Sequence, residues 1–272
     1  MDMTPLAARS LSGLLEKMTG QQLATTRRWR IETALQPVMR EHGIPSLDAL
    51  AGIVGRPDAQ PLRDEVVEAL LNHETSFYRD MQVFRGLAAD ALPAIAAMRA
   101  STRRIRIWSA GCSTGQEIYS IALVIAGMGA MWDGWSIDLF GTDVSPVAVG
   151  QARDGLYSQF EVQRGLPIAE LISHFDQEGD SWRIKSSFRA RSTFMVHNLL
   201  EQPPLGQFDM ILCRNVLLYF SADRRRQVLD RLVSAIAPDG LLVLGAGETV
   251  LGQTDAFRPD PVLRGFYRPT NI

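Results

Sequence analysis

The sequence predicts an α/β fold in which a parallel-rich sheet carries helices on both faces, and three observations predict it. Arg104 to Leu123 reads as a buried strand, a small-residue turn and a helix: Ile105, Ile107 and Trp108 lead to Ala110 and Gly111, and Ile118, Ile121, Ala122 and Ile125 recur at helical spacing. Ser136 to Asp143 reads as a second strand, followed by a helix start with Ser145 as capping residue and Pro146 at the first helical position. Strand and helix patterns then alternate through Leu241–Gly247 to a last strand near Val262–Arg268.

The elements divide into three parts. Residues 1–71 carry helical patterns separated by Gly43-Ile-Pro45 and Gly55-Arg-Pro57, which predicts a small helical N-terminal domain. Residues 72–104 form a loop, with His73-Glu-Thr-Ser-Phe-Tyr-Arg79 and Asp80, and an alanine-rich linker helix. Residues 105–272 form the core. Within it the alternation lapses at about 156–192, an insert with Trp182–Lys185 and Phe188–Arg191 as candidate short strands.

Composition points to an ordinary enzyme-sized chain: 272 residues, 46% hydrophobic, formal charge −2, enough for a full core and without the basic signature of a nucleic-acid binder. The longest apolar stretch, around Ile118 to Met131, is broken by glycines and falls short of the roughly 20 residues a membrane span needs. Two cysteines, Cys112 and Cys213, and no signal-peptide pattern predict reduced thiols and a cytoplasmic location. His42, His174 and His197 lack partners at metal-ligand spacing, so no metal is expected.

A turn between a buried strand and a helix opens at the carboxyl edge of the sheet, where backbone N–H groups meet a ligand. A P-loop would need Gly-Lys-Ser/Thr, yet the only lysines are Lys17 and Lys185. A dinucleotide fingerprint is a poor match, because three residues separate Gly111 from Gly115. Gly111-Cys-Ser-Thr-Gly115 does satisfy G-x-S-x-G, with Ser113 as the nucleophile of a serine hydrolase, but the last histidine, His197, lies well before the final strands where the base belongs. S-adenosylmethionine is the fourth candidate, with Asp143 at the end of the second strand for the ribose hydroxyls. Asp143 has a bland reading as part of a helix cap, and Glu117 as a first-turn complement to the helix dipole. The pair favours function, since two carboxylates at adjacent strand ends repel unless a partly cationic ligand lies between them.

Two further strings, His73–Asp80 and Phe208-Asp-Met-Ile-Leu-Cys-Arg-Asn-Val-Leu-Leu-Tyr-Phe220, join the Trp108–Tyr119 run and Gly141-Thr-Asp143. Together they are similar to the motifs of the CheR family, chemotaxis-receptor glutamate O-methyltransferases that use S-adenosylmethionine and release S-adenosylhomocysteine. The resemblance runs from about Asn72 to the C-terminus, with four motifs in order. It implies a Rossmann-like S-adenosylmethionine-dependent methyltransferase core with an inserted β-subdomain. It also implies cofactor contacts at His73, Thr75, Arg79, Gly111, Glu117, Asp143, Asn198, Leu199, Asn215 and Val216. Most relatives carry Asn where this chain has His73.

The implied reaction is methyl-ester formation on glutamate side chains of the cytoplasmic domain of chemoreceptors or a related acceptor. A glutamate carboxylate, with an ordinary pKa of about 4.3, is already ionised at neutral pH and needs no general base. Arg79 is the candidate to orient it, because a guanidinium fork matches a carboxylate edge, and Tyr219 the candidate to hydrogen-bond the same oxygens. The protein is expected to act as a monomer, without nucleic acid or membrane insertion. In receptor-modifying relatives an arginine-rich helix meets the receptor. Here the corresponding helix, Arg30 to Glu41, contains Pro37 and few arginines, while Arg27, Arg28 and Arg30 cluster upstream. Asp176-Gln-Glu-Gly-Asp-Ser181 is short and acidic for a loop that would hold a receptor's C-terminal peptide, so docking is expected to be independent of such a tether. The rival from another class is a sensor or scaffold that binds the cofactor without methylating.

Overall fold

The computed structural model describes residues 3–23 and 28–270, with Arg28 described by its backbone alone. Two compact units emerge: Met1–Asn72 with Tyr219–Arg224, and His73–Leu218 with Arg225–Ile272.

The first unit holds α1 (Pro5–Thr19), α2 (Arg28–Glu41), α3 (Leu47–Val54) and α4 (Gln60–Leu70). Thr4 and Ser46 cap α1 and α3 by accepting from the N–H of Ala7 and Ala49, and Gly20 ends α1 in the left-handed conformation. Leu11, Leu15, Leu35, Leu50, Val66 and Leu70 form its core, the α1 and α4 pairs four residues apart as an amphipathic face requires. Pro37 sits inside α2 without ending it. His42, at the end of α2, pairs with Glu65 of α4 at 2.6 Å, an acidic partner 23 residues away that sequence spacing could not reveal. Arg27 and the Arg28 side chain lie outside the described residues, and Arg30 donates to Leu71 O.

The second unit begins with the 73–80 loop, then α5 (Met81–Gly86), a π-helical turn (Leu87–Ala91), α6 (Leu92–Met98) and β1 (Arg104–Ala110). α7 (Gln116–Gly127), β2 (Ser136–Asp143) and α8 (Pro146–Asp154) follow. The insert comprises β3 (Leu156–Ser158), α9 (Gln159–Gln163), α10 (Ile168–His174), β4 (Phe175–Glu178), β5 (Ser181–Ile184) and α11 (Ser186–Arg189). Then come β6 (Ser192–Val196), β7 (Phe208–Cys213), α12 (Ala222–Ala235), β8 (Ile236–Leu244), β9 (Phe257–Pro259) and β10 (Phe266–Pro269).

Seven strands form one sheet in the order β6-β2-β1-β7-β8-β10-β9, parallel from β6 to β8 and antiparallel at β10 and β9. Every residue of β7 is buried, as in a strand covered on both faces; its one charged residue, Asp209, is paired with Arg99 at 2.6 Å. The chain winds outward from β1 through β2 to β6, then restarts at β7 and winds the other way. The carboxyl edge between β1 and β7 is therefore the switch point where open α/β sheets bind ligands.

The insert is a separate antiparallel sheet, β3-β5-β4. Trp182–Ile184 lies in β5 as expected, but Phe188–Arg191 is not a strand. Phe188 N donates to Lys185 O and Ala190 N to Ser186 O, so the helical turn of α11 takes the donors that a ladder would need. Asp176–Ser181 is not a loop either: β4 and β5 meet there through Gly179 and Asp180, with Glu178 opposite Ser181 and held by Arg183 at 2.7 Å. The strand expected near Val262–Arg268 is shorter, Phe266–Pro269, because Asp260 accepts from the N–H of Val262 and Leu263 and turns the chain first.

Candidate functional site

Five parallel strands end at one edge, and each delivers one candidate segment there. β1 leads into the glycine turn. Gly111 and Gly115 have φ of +89° and +93°, which side chains rarely tolerate, and a Cβ on Gly111 would stand 2.5 Å from Val216 Cγ2. Glycine thus lets the turns after β1 and β7 come into contact. The N–H groups of Gly111 and Cys112 both donate to Thr142 O, at 2.8 and 2.9 Å.

Asp143 ends β2. Its Oδ2 accepts from Ser113 N at 2.8 Å and its Oδ1 from Ser145 N at 3.0 Å, while the Ser145 hydroxyl, not Asp143, caps α8 through Ala148 N. The carboxylate thus bridges two turns. β6 pairs Val196 with Asp143 and brings Asn198 and Leu199 to the same edge, where Asn198 Oδ1 accepts from Leu200 N at 3.0 Å.

Ser113 has a left-handed backbone, φ +50°, and its hydroxyl donates to the backbone carbonyl of His73 at 3.0 Å. The last histidine, His197, instead bonds Gln202 O and packs edge-on to Trp108. Ser113 Oγ and His197 are thus engaged apart from each other, and the serine–histidine pair that the hydrolase reading requires of His197 is not formed.

Glu117, in the first turn of α7, accepts from Ser109 Oγ at 2.8 Å and from Arg214 Nη1 at 2.9 Å. Arg214, 1% exposed, also donates through Nη2 to Asp80 Oδ2 and Arg79 O, both at 2.8 Å. This corrects the repulsion argument drawn from the sequence: Arg214 supplies the positive charge beside Glu117, so the two strand-end carboxylates do not by themselves require a cationic ligand.

The 73–80 loop is pinned from inside. Phe77 is fully buried, edge-on to Tyr157 and Phe175, and Tyr78 N donates to Ser120 Oγ at 2.9 Å. The Tyr78 hydroxyl bonds Glu170, and burial, then that carboxylate, pushes the phenol well above its ordinary pKa. His73, Thr75 and Arg79 are half-buried, with the Arg79 guanidinium donating to Glu74 O at 2.8 Å. Tyr219 belongs to the first unit, where Asn72 donates to its hydroxyl. Asn72 therefore has a partner of its own.

After β7, Asn215 is left-handed at φ +59°. Glu248, beyond β8, accepts from Asn215 N at 2.7 Å, Val216 N at 2.9 Å and Gly245 N at 2.9 Å. Asn215 Oδ1 and Arg214 Nε are buried without a partner among the described residues. Tyr78, Asp80, Ser113 and Asn215 are four of five non-glycine residues with positive φ among the described residues, and all lie in these segments. Backbone strain of this kind gathers where function over-determines geometry. Cys112 and Cys213 are buried free thiols; burial drives both well up, with Asp143 and Glu117 adding to the effect at Cys112.

Sequence reasoning missed Arg214, Glu248, Asp80 and Ser109. Arg214 stood in the quoted Cys-Arg-Asn-Val string and was passed over for its neighbours, and Asp80 closed a quoted motif. Glu248 follows Gly245-Ala-Gly247 after an apolar strand, a glycine turn like the one after β1.

Residues 73–264 match the family profile described as CheR methyltransferase, SAM binding domain. The chain is 36% identical over 254 residues to the chemotaxis protein methyltransferase Cher2 of Pseudomonas putida, covering 90% of each. It is 35% identical to chemotaxis protein methyltransferase 1 of Pseudomonas aeruginosa, again covering 90% of each. With that of Vibrio cholerae it shares 34%, covering 92% of this chain and 91% of the relative. The fold is of the S-adenosylmethionine-dependent methyltransferase class, and it carries a glycine turn after the first strand and an acid at the end of the second. The chain belongs to the CheR family of protein-glutamate methyltransferases.

Proposed function

We propose that the protein methylates glutamate side chains on the cytoplasmic domain of chemoreceptors, acts in the cytoplasm as a monomer, and binds its cofactor at the carboxyl edge of β6, β2, β1 and β7. The carrying observation is the convergence there of Asp143, Glu117, Asn198 and the strained Asn215.

The residues present fit S-adenosylmethionine. Its ribose offers two hydroxyl donors, and Asp143 presents at the end of β2 an acceptor carboxylate already oriented by two N–H groups. The buried Asn215 Oδ1 lacks a donor among the described residues, which a hydroxyl or ammonium supplies. Gly111 allows close backbone approach, and Leu199 gives an apolar contact for the adenine. Thr75 and His73 close the site from the 73–80 loop, with His73 held through its carbonyl. Val216 packs on the glycine turn.

Bound cofactor supplies an electrophilic methyl group on sulfonium sulfur. The protein's part is positioning, which can remove several kcal/mol from a barrier. Arg79 orients the acceptor carboxylate: its backbone is held by Arg214 and its guanidinium already lies on the loop, bonded to Glu74 O. Tyr219 is the second polar candidate, and Tyr219→Phe tests it. Acceptor binding is independent of a peptide tether at the β4–β5 hairpin, where Arg183 already engages Glu178.

The test uses purified protein, methyl-labelled S-adenosylmethionine and cytoplasmic fragments of the host's chemoreceptors. Base-labile label on a fragment, lost in Arg79→Ala, supports the reading. Cofactor binding with no fragment labelled would replace it with the sensor or scaffold.

A further inference from the structure

Glu248 takes no part in the site as assigned above, yet its carboxylate gathers four backbone N–H groups on that edge. Oε2 accepts from Asn215 N at 2.7 Å and Gly245 N at 2.9 Å; Oε1 accepts from Val216 N at 2.9 Å, with Leu218 N further off at 3.4 Å. These donors come from two separate strand ends, those of β7 and β8. One side chain therefore ties the two turns together, and the tied backbone includes Asn215 in its left-handed conformation. The packing is tight enough that a Cβ on Gly245 would lie 2.8 Å from Glu248 Oε2 and 2.9 Å from Asn215 N.

We propose that Glu248 is the positioning residue of the cofactor site: it holds the strained Asn215–Val216 turn so that Asn215 Oδ1 stays aimed at the ligand and Val216 stays against Gly111. The inference rests on the reading that Asn215 meets the cofactor. Asparagine tolerates the left-handed region better than most side chains, but the conformation still costs energy, and N–H donors gathered on an anion hold it there. The charge matters as well as the shape. Hydrogen bonds to a carboxylate are roughly twice as strong as neutral ones, and glutamine would turn an NH2 group toward two of the same N–H groups. Released, Asn215 takes an ordinary conformation and its carbonyl oxygen leaves the site.

The test is a mutant cycle read by steady-state kinetics. Glu248→Gln is expected to raise KM for S-adenosylmethionine about tenfold, the scale of one lost charge-assisted hydrogen bond. The KM for the receptor fragment and kcat stay within about twofold of wild type. Loss of folded protein would lower apparent kcat at unchanged KM instead, so the split separates positioning from stability. In an Asn215→Ala background, Glu248→Gln is expected to add little, because the two act through one contact. Equal KM values in wild type and Glu248→Gln, or full additivity, would overturn the proposal while leaving the cofactor site intact. A wild type that fails to bind S-adenosylhomocysteine overturns both. Should Glu248→Gln not fold, Glu248→Asp, one methylene short of the same donors, is expected to show the same KM split, and an unchanged KM there refutes the proposal.

Discussion

Replacing Arg214 by methionine, which keeps most of the apolar bulk and removes the charge, tests whether this buried cation organises the site. Its side chain is 1% exposed and engages Glu117, 14% exposed, together with Asp80, 41% exposed. Taking one partner from a buried pair costs about 3–5 kcal/mol, because the other charge is left uncompensated. Glu117 keeps the Ser109 hydroxyl, which favours the lower end, and the exposed Asp80 adds less than about 1 kcal/mol. The sum is ~3 kcal/mol. For a unit of this size each kcal/mol moves Tm by roughly 2–4 °C, so a fall of about 6–12 °C is expected. Urea and thermal unfolding followed by tryptophan emission suit the measurement, since Trp108, Trp132, Trp135 and Trp182 all lie in the second unit. The diagnostic step is the sign of a second substitution. Glu117→Gln is expected to destabilise the wild type but to stabilise Arg214→Met, where it removes the orphaned charge. A loss below about 1 kcal/mol, or a double variant less stable than Arg214→Met, would refute the ion-pair account.

Two other perturbations follow from the geometry. Gly111→Ala places a methyl 2.5 Å from Val216 Cγ2 at a φ of +89°, and is expected to abolish binding of S-adenosylhomocysteine in calorimetry; near-normal binding would show that the turns after β1 and β7 need not touch. Arg99 holds the Asp239 carboxyl below the usual carboxylate range, chiefly by hydrogen bonding. That stability is fully present above about pH 4, the unfolded carboxylate value, and is lost as pH falls through the lower folded value. Arg99→Met is therefore expected to unfold more easily at pH 7 but to show a shallower loss of stability in acid, and parallel acid profiles would contradict the assignment.

Much of this fold is legible in the chain because its signals are local. The strand from Ser136 to Asp143 and the Ser145–Pro146 cap occur as expected, since a capping serine and a helix-starting proline act within a few residues. Phe188–Arg191 misled because a short apolar and basic segment has no period long enough to separate strand from helical turn, and the outcome was decided by which carbonyls lay within reach. Glu117 and Asp143 stand out by position at strand ends. Arg214 and Glu248 do not, because their partners lie 97 and about 30 residues away in sequence and meet only when five strand ends converge. Grouping of Tyr219–Arg224 with the N-terminal helices is likewise a long-range event that no local pattern encodes.

The central claim is that the edge marked by Gly111, Asp143 and Asn215 is a cofactor site, and the direct measurement is a calorimetric titration of wild type and Asp143→Ala with S-adenosylhomocysteine. One-to-one binding by the wild type is predicted, weakened at least about thirtyfold in Asp143→Ala, the scale of charge-assisted hydrogen bonds to two hydroxyls. Wild type that shows no heat up to about a millimolar, a binding free energy of only ~4 kcal/mol, or an Asp143→Ala variant that binds equally well, would contradict it.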